Sequence, residues 1–366
     1  MSQTADLRIR STSPLMAPDV LEQEFPLPPG VALFVQQNRR NTSAIIAGSD
    51  DRLLAIVGPC SIHDPDAAIA YAVRLKEVAS EFKDHLQIVM RVYFEKPRTV
   101  AGWKGLINDP GLDESFQINR GLRTARKLLL EISELGLPIA TEFLDTILGQ
   151  YYADLITWGA IGARTVESQV HRELASGLSM PVGFKNRTDG DIQVAADAIA
   201  CARRSHVFPS LTHQGTPAIL TTAGNEFGHL VLRGGSRSGP NFSEKHVNEA
   251  IGVMRDSGLH PSILIDCSHA NSEKNYERQP VVCSAVADQV ANGQRSIVGV
   301  MLESNLLQGS QRLENGLPLN FGQSITDGCI SIGQTVDPLR LLANAVESRR
   351  CKLGRNGGTS TSPPSL

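Results

Sequence analysis

The sequence predicts an α/β protein built as a (β/α)₈ barrel. Short β-branched segments alternate with helix-period segments along most of the chain, and eight such pairs fit between residues 53 and 350. That span is close to the roughly 250 residues typical of this barrel. The alternative is an open doubly wound sheet, but no G-x-G-x-x-G segment follows the first strand.

The predicted elements follow in order. The strands are short apolar runs rich in β-branched residues, at 53–61, 87–97, 138–144, 156–166, 181–187, 229–235, 262–270 and 297–304. The helices that follow them are predicted at 66–82, 120–136, 146–155, 165–178, 191–204, 243–258, 279–293 and 337–350. One further strand-like run, AILTT, breaks the rhythm between strands five and six, which predicts an inserted β-hairpin within 208–228.

The two ends of the chain differ from its middle. Residues 1–50 are rich in Pro, Gln, Asn and Ser, and we interpret them as an N-terminal extension for contacts between subunits. Residues 51–350 form the predicted catalytic barrel. The tail, 351–366, is predicted to be disordered because it is rich in Gly, Ser and Pro.

Composition narrows the class of protein. The 366 residues are 41% hydrophobic and 20% charged with a net charge of −3, which is ordinary for a globular protein and argues against a nucleic-acid or membrane-surface partner. No apolar run approaches the ~20 residues of a membrane span, and the N-terminal sequence does not resemble a signal peptide. Six cysteines without a CxxC pair indicate reduced thiols and a cytoplasmic location.

Charged residues collect at the carboxyl ends of the predicted strands, where barrel enzymes carry their chemistry. The residues at these ends are Cys60, Arg91 with Lys96 and Arg98, Glu142, Arg164, Lys185, Arg233, Asp266 with His269, and Glu303. Five of the eight strands contribute an arginine, lysine or histidine, which predicts a site for two phosphorylated substrates or for a phosphate with a carboxylate. The alternative is that each arginine pairs with a carboxylate on the barrel rim.

A second group, Cys60, His269, Glu303 and Asp327, offers metal-ligand side chains. Their separations match no local motif, but strands one, seven and eight become neighbours when a barrel closes. One thiolate, one imidazole and two carboxylates would hold a divalent ion such as Mn²⁺, Fe²⁺, Co²⁺ or Zn²⁺.

Covalent catalysis is less favoured. No G-x-S-x-G elbow occurs. Lys185 could form a Schiff base as in barrel aldolases, but its neighbours Asn186 and Arg187 do not provide the desolvated pocket that such a lysine prefers. A metal-assisted reaction is therefore the stronger hypothesis.

Several motifs together resemble type I 3-deoxy-D-arabino-heptulosonate 7-phosphate (DAHP) synthases, the family regulated by aromatic amino acids. The motifs are GPCSIHD (58–64), RVYFEKPRT (91–99), GWKGLINDP (102–110), GARTVESQ (162–169), PVGFKN (181–186), LRGG (232–235) and DCSHANSEKN (266–275). The similarity extends from about residue 15 to 350. It implies a transferase that condenses phosphoenolpyruvate with erythrose 4-phosphate, the first step of the shikimate pathway to chorismate and the aromatic amino acids.

The resemblance also implies roles for individual residues. Cys60, His269, Glu303 and Asp327 match the family's metal ligands, and Arg91, Arg164, Lys185 and Arg233 match the residues that hold phosphoenolpyruvate. Lys96, Arg98 and Thr99 match the erythrose 4-phosphate site, and Pro97 and Glu142 complete the predicted substrate-binding set. Lys96, His269 and Cys60 are the expected catalytic residues, the first two as candidates for proton handling.

The same family is commonly inhibited by an aromatic amino acid near the inserted hairpin, which for this chain implies Gly149, Gln150, Ser179 and Ser210. Gly149 stands where members sensitive to phenylalanine or tyrosine usually have proline, so the resemblance favours tryptophan. Homodimers or homotetramers are expected, again by resemblance.

Two departures and two competing functions remain. The chain has Arg187 where the family usually has glycine, and we expect its side chain to point to solvent; residues 234–242 include a short insertion. A 3-deoxy-manno-octulosonate 8-phosphate synthase would typically have KANR in place of KPRT. The other competitor is an inactive barrel that only binds an effector.

Overall fold

The computed structural model describes residues 4–98, 102–313 and 318–356. Two helices precede the barrel, α1 (Pro18–Glu24) and α2 (Pro29–Ile46). The first half then contains β1 (Leu53–Gly58), α3 (Pro65–Phe82), β2 (Leu86–Arg91), α4 (Ile118–Glu134), β3 (Ile139–Glu142), β4 (Trp158–Ile161), α5 (Gln169–Gly177) and β5 (Val182–Lys185). The second half contains α6 (Gln193–Ala202), β6 (Val207–Leu211), β7 (Pro217–Thr221), β8 (Gly228–Leu232), α7 (Glu244–Asp256), β9 (Ile263–Asp266), α8 (Gln279–Ala291), β10 (Ile297–Asn305), β11 (Ile330–Ser331) and α9 (Ile332–Asn356).

Eight parallel strands of the described chain close into a barrel in the order β1-β2-β3-β4-β5-β8-β9-β10. The closing pair joins β1 to β10, with Leu54 opposite Gly299 and Gly58 opposite Glu303. This closure confirms the predicted (β/α)₈ barrel and rules out the open sheet. It also brings the first and the last strand of the barrel together.

The strands form because both of their faces are covered, as expected for parallel strands with helices outside. β1 and β2 are buried along their whole length. Residues such as Leu54, Ile56, Val89 and Trp158 form an apolar cluster separate from the large one in which strand and helix side chains pack together. Burial on both sides keeps the strand ends in fixed positions for the site.

The predicted hairpin is confirmed as β6 and β7, which pair antiparallel between barrel strands β5 and β8. Val207 lies opposite Thr221 and Ser210 opposite Ala218. Both strands alternate between exposed and half-buried residues, so the hairpin lies on the surface with one face towards the barrel.

The segment predicted as a helix over 146–155 forms two short 3₁₀ segments instead, Leu148–Tyr151 and Ala153–Leu155. Two arginines hold the segment in this form, because their guanidinium groups bond to carbonyls in it and just after it from distant parts of the chain. Arg39 donates to the carbonyls of Ala153 and Ile156 at 2.7 and 2.8 Å. Arg126 donates to that of Tyr151 at 3.0 Å.

At the C-terminus, α9 continues past the predicted boundary at residue 350 to Asn356. The rest of the predicted tail, 357–366, lies outside the described residues. Within the part of the chain that is described, none of the helices combines the length and the apolar character that a membrane span requires.

Candidate active site

Charged side chains meet at the carboxyl end of the barrel, where the last residue of four strands is charged. β2 ends at Arg91, β3 at Glu142, β5 at Lys185 and β9 at Asp266. A cavity of about 150 Å³ opens here. The residues predicted from sequence that line it are Arg91, Lys96, Pro97, Arg98, Glu142, Arg164, Lys185, Arg233, His269 and Asp327. Thr99, also predicted for this site, lies outside the described residues.

Beside this cavity, Cys60, Glu303 and Asp327 form a group of potential metal ligands. One ligand atom from each residue lies within 4.8 Å of the others, and Cys60 Sγ is 3.5 Å from Asp327 Oδ2. The pairing of β1 with β10 produces this proximity, since Cys60 follows Gly58 by two residues and Gly58 is opposite Glu303. A thiolate and two carboxylates suit a borderline divalent ion, so this donor set fits the predicted cofactor.

His269, predicted as the fourth ligand, is not within that three-residue group among the described side chains. Its ring lines the same cavity as Asp327, and its Nδ1 lies 2.9 Å from Asp266 Oδ2. The backbone of His269 is left-handed, with φ of 54°. A positive φ in a residue with a side chain costs energy, so the surrounding contacts must hold it there.

The potential metal ligands Cys60 and Asp327 differ in how their surroundings shift their pKa values. Burial raises the pKa of the Cys60 thiol to about 11, and the nearby Glu303 carboxylate adds to the effect. Burial also acts to raise the pKa of Asp327, but Lys96 and His269 outweigh it and leave that pKa below its ordinary value. The carboxylate is therefore ready to bind a cation, whereas the thiol must lose a proton first.

Arg91 connects the cavity to the potential metal ligands. Its guanidinium donates to Glu303 Oε1 at 3.0 Å and to the carbonyls of Pro59 and Cys60 at 3.1 and 3.2 Å. The Tyr93 ring lies 3.6 Å from the guanidinium carbon, a cation–π contact. Only 1% of Arg91 is exposed, so these contacts replace water almost completely.

Lys96 lies between the same two regions. Its Nζ donates to the Cys60 carbonyl at 3.1 Å and to Cys60 Sγ at 3.0 Å. Burial acts to lower the pKa of Lys96, but Cys60 and Glu303 outweigh it, so the pKa lies above its ordinary value. The ammonium group therefore remains charged at the edge of the cavity.

Three further cations have no carboxylate partner among the described residues. Arg98 donates to the Trp103 carbonyl at 2.8 Å, Arg164 to that of Pro97 at 3.4 Å and Arg233 to that of Gly234 at 3.3 Å. Burial lowers the pKa of Arg233. These three guanidinium groups line the cavity wall and each bonds only to neutral carbonyls, an arrangement that suits phosphate or carboxylate groups.

Two residues that received no role from the sequence organise this wall. Asp266 is fully buried and accepts from Lys185 Nζ at 3.0 Å. Burial acts to raise the pKa of Asp266, but His269 and Lys185 hold it well below its usual range. Asn186 accepts from the Arg233 backbone N–H at 2.8 Å and donates to the Gly234 carbonyl at 3.0 Å. The sequence placed Asp266 at a strand end and Asn186 beside Lys185, but it indicated no role for either.

Residues 33–339 match the family model described as the DAHP synthetase I family. The chain belongs to this family. It is 56% identical over 348 residues to the Phe-sensitive phospho-2-dehydro-3-deoxyheptonate aldolase of Escherichia coli K12, covering 95% of this chain and 99% of that one. It is 48% identical over 349 residues to the Trp-sensitive enzyme of the same organism, covering 95% and 100%. A solved structure of phospho-2-dehydro-3-deoxyheptonate aldolase from Francisella tularensis superposes with a TM-score of 0.92 at 52% identity, covering 93% of this chain and 99% of that one. The resemblance inferred from the motifs is confirmed.

Of the four effector residues implied for this DAHP synthetase I family member, Ser210 lines a second cavity, of about 310 Å³. The cavity lies between the hairpin and α5, and its other lining residues are Thr146, Ile147, Val170, Glu173, Leu174, Phe208, Pro209 and Leu211. Gly149, Gln150 and Ser179 do not line it. Gly149 is buried against Phe143, whose ring atoms would lie 3.1 and 3.2 Å from an added Cβ.

Neither departure from the family pattern lines the first cavity, but both adjoin Thr188, which does. Arg187 does not simply point to solvent, because it is ion-paired with Asp189 at 2.6 Å and Glu167 at 2.9 Å. The insertion in 234–242 contacts the same loop, with the Ser236 N–H donating to the Thr188 carbonyl at 2.8 Å. Neither departure displaces a residue of the predicted site.

Proposed function

We propose that this chain is a DAHP synthase, a transferase that condenses phosphoenolpyruvate with erythrose 4-phosphate and water to give DAHP and phosphate. The observation that carries the proposal is one cavity lined by Arg91, Lys96, Arg164, Lys185 and Arg233, next to the Cys60–Glu303–Asp327 group. Near-complete coverage of relatives named for this activity supports the same conclusion.

The cavity residues suit the two substrates. Arg164 and Arg233, which lack carboxylate partners in the described chain, would bind the phosphate of phosphoenolpyruvate, while Arg91 and Lys185 would orient its carboxylate. Arg98 would bind the phosphate of erythrose 4-phosphate. Holding both anions in attack geometry lowers the barrier by orientation, for which effective-molarity estimates reach about 7–11 kcal/mol.

The reaction forms one carbon–carbon bond and releases phosphate. C3 of phosphoenolpyruvate bonds to the aldehyde carbon of erythrose 4-phosphate, cationic character develops at C2, water adds there, and the resulting phosphohemiketal expels phosphate. Lys96, with its Nζ at the cavity edge, would donate a proton to the new hydroxyl oxygen. The proton of the attacking water would restore Lys96, because both ring nitrogens of His269 are engaged, Nδ1 with Asp266 and Nε2 as the predicted metal ligand.

A divalent ion held by Cys60, Glu303 and Asp327, with His269 Nε2 as the predicted fourth ligand, would polarise the aldehyde as a Lewis acid. Mn²⁺, Fe²⁺, Co²⁺ and Zn²⁺ all suit these donors. Because the Cys60 thiol is protonated near neutral pH in the metal-free protein, metal binding must release that proton.

Regulation by an aromatic amino acid is proposed at the cavity between the hairpin and α5. Apolar walls from Val170, Leu174 and Phe208, with the Ser210 hydroxyl and the Glu173 carboxylate, suit an amino acid with a large side chain. We keep tryptophan as the effector to test first because glycine stands at 149, where members sensitive to phenylalanine or tyrosine usually have proline. The homodimer or homotetramer and the cytoplasmic location stay predictions.

A phosphate-release assay tests the function directly. Phosphoenolpyruvate is supplied with erythrose 4-phosphate or arabinose 5-phosphate, before and after treatment with a chelator. We expect phosphate release with erythrose 4-phosphate, loss of activity on metal removal and recovery when Mn²⁺ is restored. Activity with arabinose 5-phosphate alone would refute the DAHP synthase proposal, and full activity in the chelated protein would refute the metal site. Adding tryptophan or phenylalanine to the same assay identifies the effector.

A further inference from the structure

Asp266 is a fully buried carboxylate for which the proposed reaction provides no role. It is the last residue of β9, and each of its oxygens has two partners. Oδ1 accepts from the Ser268 N–H at 3.0 Å and from the Ser268 hydroxyl at 2.6 Å. Oδ2 lies 3.0 Å from Lys185 Nζ and 2.9 Å from His269 Nδ1. Oδ2 thus contacts both Lys185, one of the cations that line the cavity, and His269, one of the predicted metal ligands.

The hydrogen bonds around His269 determine which ring nitrogen faces the cavity with a lone pair. The Ser268 hydroxyl donates its single proton to Asp266 Oδ1, so it can only accept from His269 Nδ1, 2.8 Å away. Asp266 Oδ2 is also an acceptor. With acceptors alone on that side, Nδ1 carries the ring proton and Nε2 keeps the lone pair that a metal ligand needs.

We propose that Asp266 is a positioning residue that orients His269 for metal binding and Lys185 for phosphoenolpyruvate through the same carboxylate oxygen. This inference rests on the proposed function, since it assigns a partner to residues of that site. An asparagine at 266 would keep the shape but remove the negative charge and one acceptor oxygen, so its NH₂ group would face either Ser268 or the Lys185 ammonium with His269 Nδ1–H. If it faces Ser268, that hydroxyl loses its acceptor and can donate to His269 Nδ1; if it faces Lys185, donors oppose donors. In both orientations Lys185 loses its carboxylate partner and the His269 tautomer is no longer fixed.

The test measures binding separately from catalysis. Chelator-treated wild-type protein and Asp266→Asn are titrated with Co²⁺, followed by its visible absorption, and separately with phosphoenolpyruvate by calorimetry. We expect the Co²⁺ affinity of the variant to fall by about 10–100-fold, the usual effect of removing the partner of a metal-bound histidine. The phosphoenolpyruvate affinity of the metal-free variant should fall as well. A variant that binds both as tightly as the wild type would overturn the proposal.

Asp154→Asn is the matched control, because Asp154 is ion-paired with the buried Arg126 at 2.8 Å but does not line the cavity. It should lower the thermal midpoint without changing either affinity. If Asp266→Asn does not fold, Asp266→Glu replaces it, since this variant keeps the negative charge but moves the carboxylate by one methylene group. A lower Co²⁺ affinity in Asp266→Glu would support the positioning role, and an unchanged one would show that His269 does not depend on the position of this oxygen.

The two proposals fail differently. Wild-type protein that binds Co²⁺ and phosphoenolpyruvate but releases no phosphate with erythrose 4-phosphate would refute the proposed function. The role of Asp266 would still be decided by the two titrations.

Discussion

The cations of the cavity fall into two kinds that composition alone does not separate. Arg91 and Lys185 are ion-paired with Glu303 and Asp266 at 3.0 Å each, and both pairs are almost completely buried. Arg164, by contrast, is exposed and bonds only to the Pro97 carbonyl among the described residues. The first kind is neutralised within the folded structure, whereas under the proposed function a substrate anion would neutralise the second.

Replacing one member of each kind by methionine should therefore have different consequences. In Arg91→Met, Glu303 loses its buried partner, and breaking such a pair typically costs about 3–5 kcal/mol of stability. Arg164→Met should keep the thermal midpoint of the wild type, but lose about 1.5–3 kcal/mol of substrate interaction, which appears as a lower kcat/KM. Thermal unfolding and phosphate-release kinetics on both variants check this. Equal midpoints for the two variants would contradict the distinction.

At this scale the sequence predicted which residues meet, but not how they pair. Strand ends converge in any barrel, so Arg91, Lys185 and Glu303 could be placed at one mouth from their positions alone. The ion pair between Arg91 and Glu303 depends on rotamers and strand register. His269 is separate from the other predicted ligands and has a left-handed backbone, which no local sequence pattern predicted.

Among the elements, α4 constrains the segment that follows the KPRT motif. Gly121 lies in its first turn, and an added Cβ would be only 2.1 Å from the Ile107 carbonyl oxygen. Ile107 belongs to the GWKGLINDP motif and is fully buried. The helix can approach this loop only because residue 121 has no side chain, which fixes the loop behind Lys96 and Arg98.

Two Gly→Ala substitutions in helices test this close approach. Gly121→Ala must push α4 away from Ile107, and overpacking of this kind costs about 1–3 kcal/mol. Gly252→Ala in α7 meets no atom within 4 Å and should instead stabilise the protein by about 0.5–1 kcal/mol through helix propensity. Urea unfolding of both variants gives the two signs. A Gly121→Ala protein as stable as the wild type would show that α4 does not depend on this contact.

The prediction of elements was most reliable where local pattern and burial agree. The sequence predicted all eight barrel strands and the hairpin, because β-branched runs between turns rarely form any structure other than a strand. The segment 146–155 was assigned wrongly because its apolar spacing is helical while its carbonyls bond to Arg39 and Arg126 from distant parts of the chain. Such competition is invisible in a local window.

For the whole molecule, closure of the barrel is the property that creates the site. Cys60 and Glu303 are far apart in sequence and become neighbours only because β1 pairs with β10. Counting eight strand–helix units was enough to predict this closure, and so to group Cys60, Glu303 and Asp327. The hairpin cavity was less predictable, since its walls come from side chains whose direction the sequence does not specify.

Inside the closed barrel, His229 makes stability depend on pH. The Trp158 indole N–H donates to His229 Nε2 at 3.0 Å, and His229 Nδ1 lies 3.1 Å from the Phe227 carbonyl. Burial lowers the pKa of His229 to about 4, compared with 6.5 in the unfolded chain. The unfolded state therefore binds a proton at a pH where the native state does not, and stability falls as pH drops from 6.5 towards 4.

The loss assigned to this one group is up to about 3 kcal/mol, since each unit of pKa difference corresponds to about 1.4 kcal/mol. His229→Gln, which can accept from Trp158 and donate to the Phe227 carbonyl without titrating, should flatten the fall of the thermal midpoint between pH 6.5 and pH 4. His260→Gln, at an exposed histidine, is the control and should leave the wild-type profile unchanged. An equally steep profile in His229→Gln would mean that other groups govern acid unfolding, and that the barrel interior tolerates a charged imidazole.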